Sequence, residues 1–407
     1  MITTALLLLT FVRPAADTLV VSPTGPYRSV GDAVAAAPAG ATVIVRAGVY
    51  REPTVEIDRQ LTLEGEPGAV LDGEGERQIL RVSADSVTVR GLTLRNVGRS
   101  FVEDRAAITV QDASWCTISD NRIEDAFFGI YLANAGWCVI ECNTLVSGER
   151  RETSSGNGIH LWYSKEIDIR DNDIRGHRDG IYFEFVQDSR VKRNHAEGNL
   201  RYGLHFMFSD RCSYSENVLR ANGAGIAVMY TKHVTMTNNV FERNRGGAAF
   251  GLLLKDITDS ELRGNRFVEN SVGIMAEGVN RTRVEHNAFV RNGWAIKLMA
   301  NSQQNLFTGN RFEANTFDVA TNSRHNFSTF DANWWDRYRG YDLDGDGHGD
   351  VPFRPVRLFS LVVERNAPSL VLLRSIFVTL LDLAERVAPV LTPATLIDER
   401  PLMRRAS

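Results

Sequence analysis

Soft ligand atoms and imidazoles recur at fixed offsets in the middle of this sequence. His205 and Met207 follow one glycine by two and four positions, and Met229 follows the next such glycine by four. Two thioethers and an imidazole form a donor set that favours Cu(I) over hard cations such as calcium. His160 and Glu184 hold the same offsets in earlier units, so we expect them at the periphery of this site. Methionines packed beneath a long loop are the alternative explanation.

These glycines belong to a repeat of about 22 residues that is marked by an asparagine. Its members are Asn121, Asn143, Asn172, Asn194, Asn217, Asn239, Asn265, Asn287, Asn310 and Asn333. Apolar residues stand three before and two after most of them, in the alternation that is typical of strands. Asparagine tolerates the left-handed backbone of a tight corner, and its amide can bond to the equivalent asparagine one coil away. The repeat predicts an all-β, right-handed parallel β-helix, resembling the pectin-lyase-like solenoids.

Stacked strands would bring the candidate ligands together. Residues one and three after each glycine are apolar and should point into the core, so those two and four after it should face outward. Parallel stacking then puts Met207 about 4.8 Å from Met229, with His205 about 7 Å away along the same strand and face. Met236, by its position before an asparagine of the repeat, should point inward.

The predicted organisation is one elongated rod with two capped ends. Residues 1–16 resemble a secretory signal peptide, because an apolar run ends in a small-residue cleavage site. Residues 17–60 form an N-terminal cap with a short helix and the first coil, and residues 61–335 form the repeats. About twelve coils at roughly 4.8 Å each give a rod about 58 Å long. Residues 336–366 form a C-terminal cap, and residues 367–407 a helical tail.

Alternating aspartates in the C-terminal cap match the first half of a calcium loop. Asp342, Asp344, Asp346 and Asp350 stand at alternate ligand positions, with a glycine at the sixth position of the loop. The twelfth position, where such loops carry a bidentate glutamate, is Phe353. Two interpretations therefore remain open, a structural calcium ion and a loop that holds no ion.

The sequence of the tail predicts one amphipathic helix. Ser369 is the expected N-cap after a proline, and Pro389 should end the helix. Leu373, Phe377 and Leu380 lie on its apolar face. The helix either packs on the rod or docks to a membrane-embedded partner, because it is more apolar than a solvated surface helix should be.

Cysteine usage indicates packing more than chemistry. Cys116, Cys138 and Cys212 each stand five residues before an asparagine of the repeat, a position that holds small inward residues in other coils. Cys116 and Cys138 fall in successive coils, so a disulfide between them is conceivable in an oxidising compartment. The simpler interpretation is that all three cysteines have a structural role in core packing.

Charge and acid placement exclude some classes of function. The net charge of −4 argues neither for nor against nucleic acid, but no basic stripe is visible, so we expect no nucleic-acid partner. Galacturonan hydrolysis would need two carboxylates about 5 to 10 Å apart. Asp179 and Asp188 flank one strand at turn positions where aspartate is ordinary, and no aspartate pair shares an outward column. A non-enzymatic protein is therefore favoured, with a polysaccharide lyase or hydrolase and a purely structural rod as the alternatives.

Segments 158–162, 176–185, 199–210 and 223–230 resemble the NosD family, most specifically in the string Arg-Tyr-Gly-Leu-His-Phe-Met at 201–207. The resemblance covers essentially the whole chain, including the Trp-Trp-Asp motif at 334–336. It implies a periplasmic copper-handling protein in the maturation of nitrous oxide reductase and its copper-sulfur centre. The implied partners are the permease and ATPase of an ABC transporter, a copper chaperone lipoprotein and the reductase. The tail helix would then dock to the permease.

Overall fold

The computed structural model describes residues 17–100, 102–148, 151–246, 249–323, 326–388, 392 and 394–404. The predicted signal peptide at 1–16 lies outside the described residues. Within them, 39 short strands and three α-helices form a right-handed parallel β-helix with three sheets, in which each strand pairs with its equivalent one coil away. The predicted fold class is confirmed.

The first sheet has 14 strands, one more than the third and two more than the second. The strands of the first sheet are Thr18–Val21, Thr42–Val45, Thr62–Gly65, Thr88–Arg90, Thr117–Ser119, Val139–Glu141, Asp168–Arg170, Arg190–Lys192, Ser213–Ser215, Thr235–Thr237, Glu261–Arg263, Arg283–Glu285, Leu306–Thr308 and Thr329–Asp331. Those of the second are Val55–Ile57, Leu80–Val82, Ala106–Gln111, Phe128–Ala133, Ile159–Trp162, Asp179–Glu184, Tyr202–Met207, Ala224–Lys232, Phe250–Thr258, Val272–Glu277, Trp294–Leu298 and Phe317–Ala320. Those of the third are Gly48–Tyr50, Ala69–Asp72, Thr93–Arg95, Arg122–Glu124, Thr144–Val146, Asp173–Arg175, His195–Glu197, Val218–Arg220, Val240–Glu242, Arg266–Val268, Ala288–Val290, Arg311–Glu313 and Trp334–Trp335. The rod therefore has about 14 turns, more than the twelve expected, because strands at both ends also stack.

An asparagine ladder holds one corner of the rod together. Each Nδ2 donates to the Oδ1 of the next asparagine at 2.9 to 3.1 Å, from Asn121 to Asn333. At the last coil Asp398 takes the place of a further asparagine, because its Oδ2 accepts from both Asn333 Nδ2 and Trp335 Nε1 at 3.0 Å. The amides that a bare ladder end would leave unpaired are thus satisfied.

A second ladder runs from Asn199 to Asn315 along another corner, with Nδ2 to Oδ1 distances of 2.9 to 3.5 Å. It ends where Asn315 Nδ2 donates to Asp318 Oδ1 at 3.3 Å. At its other end stands His177, whose backbone N–H donates to Asn199 Oδ1 at 3.0 Å. His177 holds the backbone position of a ladder asparagine without an amide to offer.

The core is a continuous column of stacked apolar side chains. Phe241, Phe267, Phe289, Phe312 and Trp335 stack face to face with ring centroids 4.0 to 5.0 Å apart. Each is fully buried or nearly so, and burying one such ring stabilises the fold by roughly 1.5 to 3 kcal/mol. Met236 is also fully buried, as its position in the repeat predicts.

The predicted cysteine packing is observed. Cys116, Cys138 and Cys212 are buried, and the described structure holds them as free thiols. Burial raises the pKa of Cys212 to about 12, so this thiol stays protonated and is a poor metal ligand.

Helix α1, Val30–Ala36, covers the N-terminal end of the rod. Ser29 is its N-cap, because the hydroxyl accepts from the backbone N–H of Asp32 at 3.0 Å. Val30, Ala33 and Val34 are buried against the first strands. The expected N-terminal cap helix is therefore present.

The C-terminal cap and the tail together contain two α-helices and a 3₁₀ turn, with the first helix in the cap. Helix α2 is Leu358–Arg365, the 3₁₀ turn is Ala367–Leu372, and helix α3 is Ile376–Val387. Ser369 lies inside the 3₁₀ turn, and Ser375 is the N-cap that accepts from Val378 N. The prediction of one helix capped by Ser369 was wrong. Pro389, the expected stop, lies outside the described residues.

Helices α2 and α3 share one hydrophobic cluster with the last coils of the rod. Phe359 and Val363 of α2 and Val378 of α3 are buried with Phe317 of the last coils, and Leu373 packs against the same cluster. Arg357 pairs with Asp382 and, at 3.9 Å, with Glu385. None of the helices in the described residues is long and apolar enough to cross a membrane.

The other face of α3 is exposed and apolar. Its exposed members are Ile376, Phe377, Leu380, Leu383 and Val387, with 52% to 79% of each side chain accessible. Leu373 was expected in this row but is partly buried against the rod, because the chain bends between the 3₁₀ turn and α3. Phe377 and Leu380 therefore belong to an exposed row that excludes Leu373.

Candidate metal centre

Strand register brings the candidate ligands onto the outer face of the second sheet. In neighbouring coils Met207 pairs with Met229, and Glu184 pairs with Met207. His205 lies two residues before Met207 on the same strand, opposite Tyr182. The register is the one that the repeat predicts. Thioethers of adjacent strands and a nearby imidazole thus share one surface.

The two methionines are half-buried, so each combines accessibility with a defined position. The sulfur of Met207 lies 3.7 Å from the hydroxyl of Tyr182, which also donates to Glu184 Oε2 at 3.2 Å. Glu184 is engaged with this phenol and borders the methionine pair. It stands at the periphery, where the offsets place it.

His205 is more enclosed than an outward position implies. Only 5% of the residue is exposed, because the rings of Tyr182 and Tyr202 lie against it with centroids 5.0 and 4.7 Å away. The expectation of an open outward imidazole was wrong in this respect. Its Nε2 is buried and has no hydrogen-bond partner among the described residues.

Beneath His205 lies an ion pair between the buried Asp179 and the half-buried Arg201, which the sequence analysis did not identify. Arg201 donates from Nε to Asp179 Oδ1 at 2.9 Å and from Nη2 to Oδ2 at 2.5 Å. Asp179 is fully buried, and its Oδ2 lies 3.4 Å from His205 Nδ1. Burial works to raise the pKa of Asp179, but hydrogen bonds from Arg201 and His205 hold it below its ordinary value. Asp179 is therefore an anion next to the imidazole.

Asp179 was interpreted as an ordinary turn aspartate. In the structure it opens the strand Asp179–Glu184 and pairs in register with Tyr202, the neighbour of Arg201. A signal existed in the spacing, since Arg201 follows Asp179 by 22 residues, about one coil. Acid and base one period apart are the pair that a solenoid brings into contact.

His160 lies two strands away from His205, with Tyr182 between them. Arg178 Nη2 donates to Asn157 Oδ1 at 3.2 Å, and Asn157 Nδ2 lies 3.2 Å from His160 Nδ1. Because arginine can only donate, the amide orientation is set, and Nδ1 of His160 must accept. Burial and the Arg178 charge lower the pKa of His160 to about 3. His160 is a neutral imidazole outside the methionine pair.

An exposed aromatic column, named here the aromatic edge, borders the methionines. It consists of Tyr163, Phe185, Phe208 and Tyr230, the residues that directly follow Trp162, Glu184, Met207 and Met229. Their rings stack 4.7 to 5.1 Å apart and 36% to 52% of each residue is exposed. All four adopt left-handed φ of 47° to 56°, where aromatic residues are unusual. The adjoining coils carry Asn134 and Asp256 at this corner.

The aspartate loop gathers three of its four predicted ligands. Carboxylate oxygens of Asp342, Asp344 and Asp346 lie within 4.8 Å of one another. Asp350 is not among them and accepts from the backbone N–H of Leu343 at 2.7 Å. A structural calcium ion at the three carboxylates stays a prediction.

Sequence comparison gives one family. Residues 142–340 match the family described as periplasmic copper-binding protein (NosD). The chain is 34% identical over 367 residues to the probable ABC transporter binding protein NosD of Pseudomonas aeruginosa, which covers 86% of this chain and 85% of the relative. It is 29% identical over 390 residues to the protein of the same name from Stutzerimonas stutzeri, covering 87% and 86%.

Structural comparison finds β-helices of several functions. The catalytic unit of a GH87 α-1,3-glucanase from Streptomyces thermodiastaticus has a TM-score of 0.64 at 16% identity, covering 80% of this chain and 70% of that one. The family 28 exopolygalacturonase of Yersinia enterocolitica has a TM-score of 0.60 at 12% identity, covering 80% and 79%. PfbA, a surface adhesin of Streptococcus pneumoniae, has a TM-score of 0.55 at 11% identity, covering 78% and 90%. At these identities the likeness shows the fold only.

Proposed function

The chain belongs to the NosD family, and we propose that it accepts or delivers Cu(I) during the maturation of nitrous oxide reductase. In this role it acts in the periplasm as the partner of an ABC transporter, after export by the segment 1–16. It supports assembly of the copper-sulfur centre of the reductase. The family description supports periplasmic copper binding, and the names of the two relatives support transporter association.

The observation that carries this proposal is the set of donor atoms on the second sheet. Met207 and Met229 stand in register on adjacent strands, and His205 on the same face keeps its Nε2 without a partner in the described structure. Two thioethers and one imidazole suit Cu(I) better than a hard cation. His160 and Glu184 border the set, where His160 Nδ1 faces the amide of Asn157 and Glu184 Oε2 accepts from the hydroxyl of Tyr182.

We propose further that the protein has no catalytic activity of its own. Asp179, the buried acid of this face, is ion-paired with Arg201 and lies 3.4 Å from His205, so it is not free to act as a catalytic acid or base. The two sequence relatives are named as binding proteins. The glycosidase neighbours share the fold at identities of 16% and 12%.

Helix α3 is the proposed contact with the permease of the transporter. Its inner face is held on the rod by Val378 and by the Arg357 to Asp382 pair. Its outer row, which includes Phe377 and Leu380, is exposed and apolar. An apolar row of this length on a soluble surface indicates a partner, and a membrane-embedded permease offers a complementary surface.

The aromatic edge supports a protein partner at the metal site itself, which we propose to be the copper chaperone lipoprotein. The four rings occupy the same four coils as Trp162, Glu184, Met207 and Met229. Because they stack face to face, the ring faces inside the column are covered and the free surface consists mainly of ring edges. Ring edges suit a protein surface better than a sugar, which would stack on ring faces.

Competitive Cu(I) titration under anaerobic conditions tests the proposal. The Met207→Ala, Met229→Ala double variant should stay folded, because both side chains are half-buried on the outer face. Met275→Ala is the matched control, since Met275 is a half-buried methionine of the same sheet three strands from Met207. We expect one Cu(I) per chain in the wild type and the control, and loss of binding in the double variant. Equal binding by all three proteins would contradict the proposed site.

A further inference from the structure

A neutral imidazole can carry its proton on either nitrogen, and only one choice leaves Nε2 able to bind a metal. We propose that Asp179, clamped by Arg201, holds His205 with its proton on Nδ1 and so keeps the Nε2 lone pair available. Asp179 and Arg201 are then positioning residues of the copper site. This inference rests on the proposed function for its consequence, although the tautomer itself can be tested without copper.

The contacts of the buried carboxylate favour this tautomer. Arg201 takes one lone pair on each oxygen of Asp179, so Oδ2 keeps a second lone pair for a proton on Nδ1, which lies 3.4 Å from Oδ2. Arg201 Nη2 also lies 3.4 Å from Nδ1, and accepting from it is the competing arrangement. That arrangement would point the Nδ1 lone pair at an anionic oxygen in a buried setting, which is repulsive.

His160 shows the opposite solution in the same column. There Arg178 binds the oxygen of Asn157, so the amide nitrogen faces His160 Nδ1 and donates to it. The His160 proton must therefore lie on Nε2, which makes this nitrogen unable to bind a metal. The two histidines differ because an aspartate faces Nδ1 in one and an asparagine amide faces it in the other.

This contrast predicts what Asp179→Asn should do. Arg201 would turn the new amide oxygen toward itself, and the amide nitrogen would then face His205 Nδ1, as in the Arg178, Asn157 and His160 chain. The proton of His205 should move to Nε2. Loss of a carboxylate that orients a metal-binding histidine costs about 10- to 100-fold in metal affinity, and we expect a loss of Cu(I) affinity in that range.

Nitrogen NMR of the metal-free protein with ¹⁵N-labelled histidine tests the tautomer directly. The His205 signals are assigned by their absence in His205→Gln. The wild type should carry the proton on Nδ1, and Asp179→Asn should carry it on Nε2. Asp188→Asn is the matched control, because Asp188 accepts two bonds from Arg211 with the same geometry at an exposed corner. It should change neither the tautomer nor the Cu(I) affinity.

Each outcome decides the inference. A wild-type proton on Nε2 would overturn it, and so would Asp179→Asn with unchanged Cu(I) affinity in a folded protein. The wild-type spectrum needs no variant at position 179, so the tautomer is decided even if Asp179→Asn does not fold. A wild type with the proton on Nδ1 that binds no Cu(I) would refute the proposed copper site while leaving the positioning of His205 established.

Discussion

Replacing His177 by asparagine should make the protein more resistant to acid. His177 is fully buried at the head of the second asparagine ladder, and neither ring nitrogen has a hydrogen-bond partner among the described residues. Its backbone N–H already donates to Asn199 Oδ1, as Asn199 does to Asn222. An asparagine at 177 would extend the ladder by one amide.

The magnitude follows from the pKa of the imidazole. Burial lowers the pKa of His177 to about 4, whereas an unfolded histidine has a pKa of about 6.5. Between about pH 6.5 and 4, His177 therefore binds a proton in the unfolded chain but not in the folded one. Stability from this group is fully present above pH 6.5 and is lost as the pH falls toward 4. At pH 5 the loss is about 2 kcal/mol, and an asparagine, which does not titrate, abolishes it.

Urea unfolding at pH 8 and pH 5 measures the difference. At pH 8 the variant should unfold with nearly the wild-type free energy, because a new hydrogen bond of about 1 kcal/mol offsets the space left by the smaller side chain. At pH 5 the variant should be more stable than the wild type by about 2 kcal/mol. His286→Asn makes the same replacement at an exposed corner and serves as the control. An equal effect of His177→Asn at both pH values would show that the low pKa of His177 does not limit stability in acid.

Three further perturbations test the first asparagine ladder, the buried end of the second ladder and the aromatic edge. Asn217→Ala removes the side-chain hydrogen bonds to Val191 O and Asn239 Oδ1. It also leaves the backbone N–H and Nδ2 of Asn194 without the acceptor Asn217 Oδ1. It should lower the free energy of unfolding in urea by about 3 to 5 kcal/mol, and a loss under 1 kcal/mol would contradict the ladder. Burial raises the pKa of Asp318 to about 6. The stability contributed by protonated Asp318 is therefore fully present below about pH 4 and is lost as the pH rises through 6. Asp318→Asn should therefore raise the melting temperature at pH 8 more than at pH 4, and the reverse order would exclude this sign. Phe208→Ala should slow Cu(I) transfer from the chaperone while leaving the affinity of the isolated chain within about twofold, because the ring lies beside the ligands and not among them; unchanged transfer would remove the aromatic edge as a contact.

The fold could be predicted because its physics repeats. A single period sets strand stacking, the asparagine corners and the outward columns. Once the register is correct in one coil it holds along the rod, and it places Met207 next to Met229. The same argument places Cys116, Cys138 and Met236 in the core. Periodicity reports on backbone position, and these properties depend on backbone position only.

The details of the site depend on directions that spacing does not encode. The enclosure of His205 arises from how the rings of Tyr182 and Tyr202 turn, and the role of Asp179 arises from an arginine one coil away. The aromatic edge was missed because its residues occupy left-handed corners, where asparagine, aspartate or glycine is expected. In the tail, composition identified an apolar helix, but the 3₁₀ turn moved its N-cap from Ser369 to Ser375.

X-ray absorption at the copper edge of the Cu(I)-loaded chain tests the proposed copper ligands, because it counts the atoms bound to the metal. We expect two sulfur neighbours and one nitrogen neighbour in the wild type. The sulfur contribution should be absent when the Met207→Ala, Met229→Ala variant is given the same copper. A wild-type spectrum with only nitrogen and oxygen neighbours would contradict the site, and so would sulfur coordination that persists in the variant.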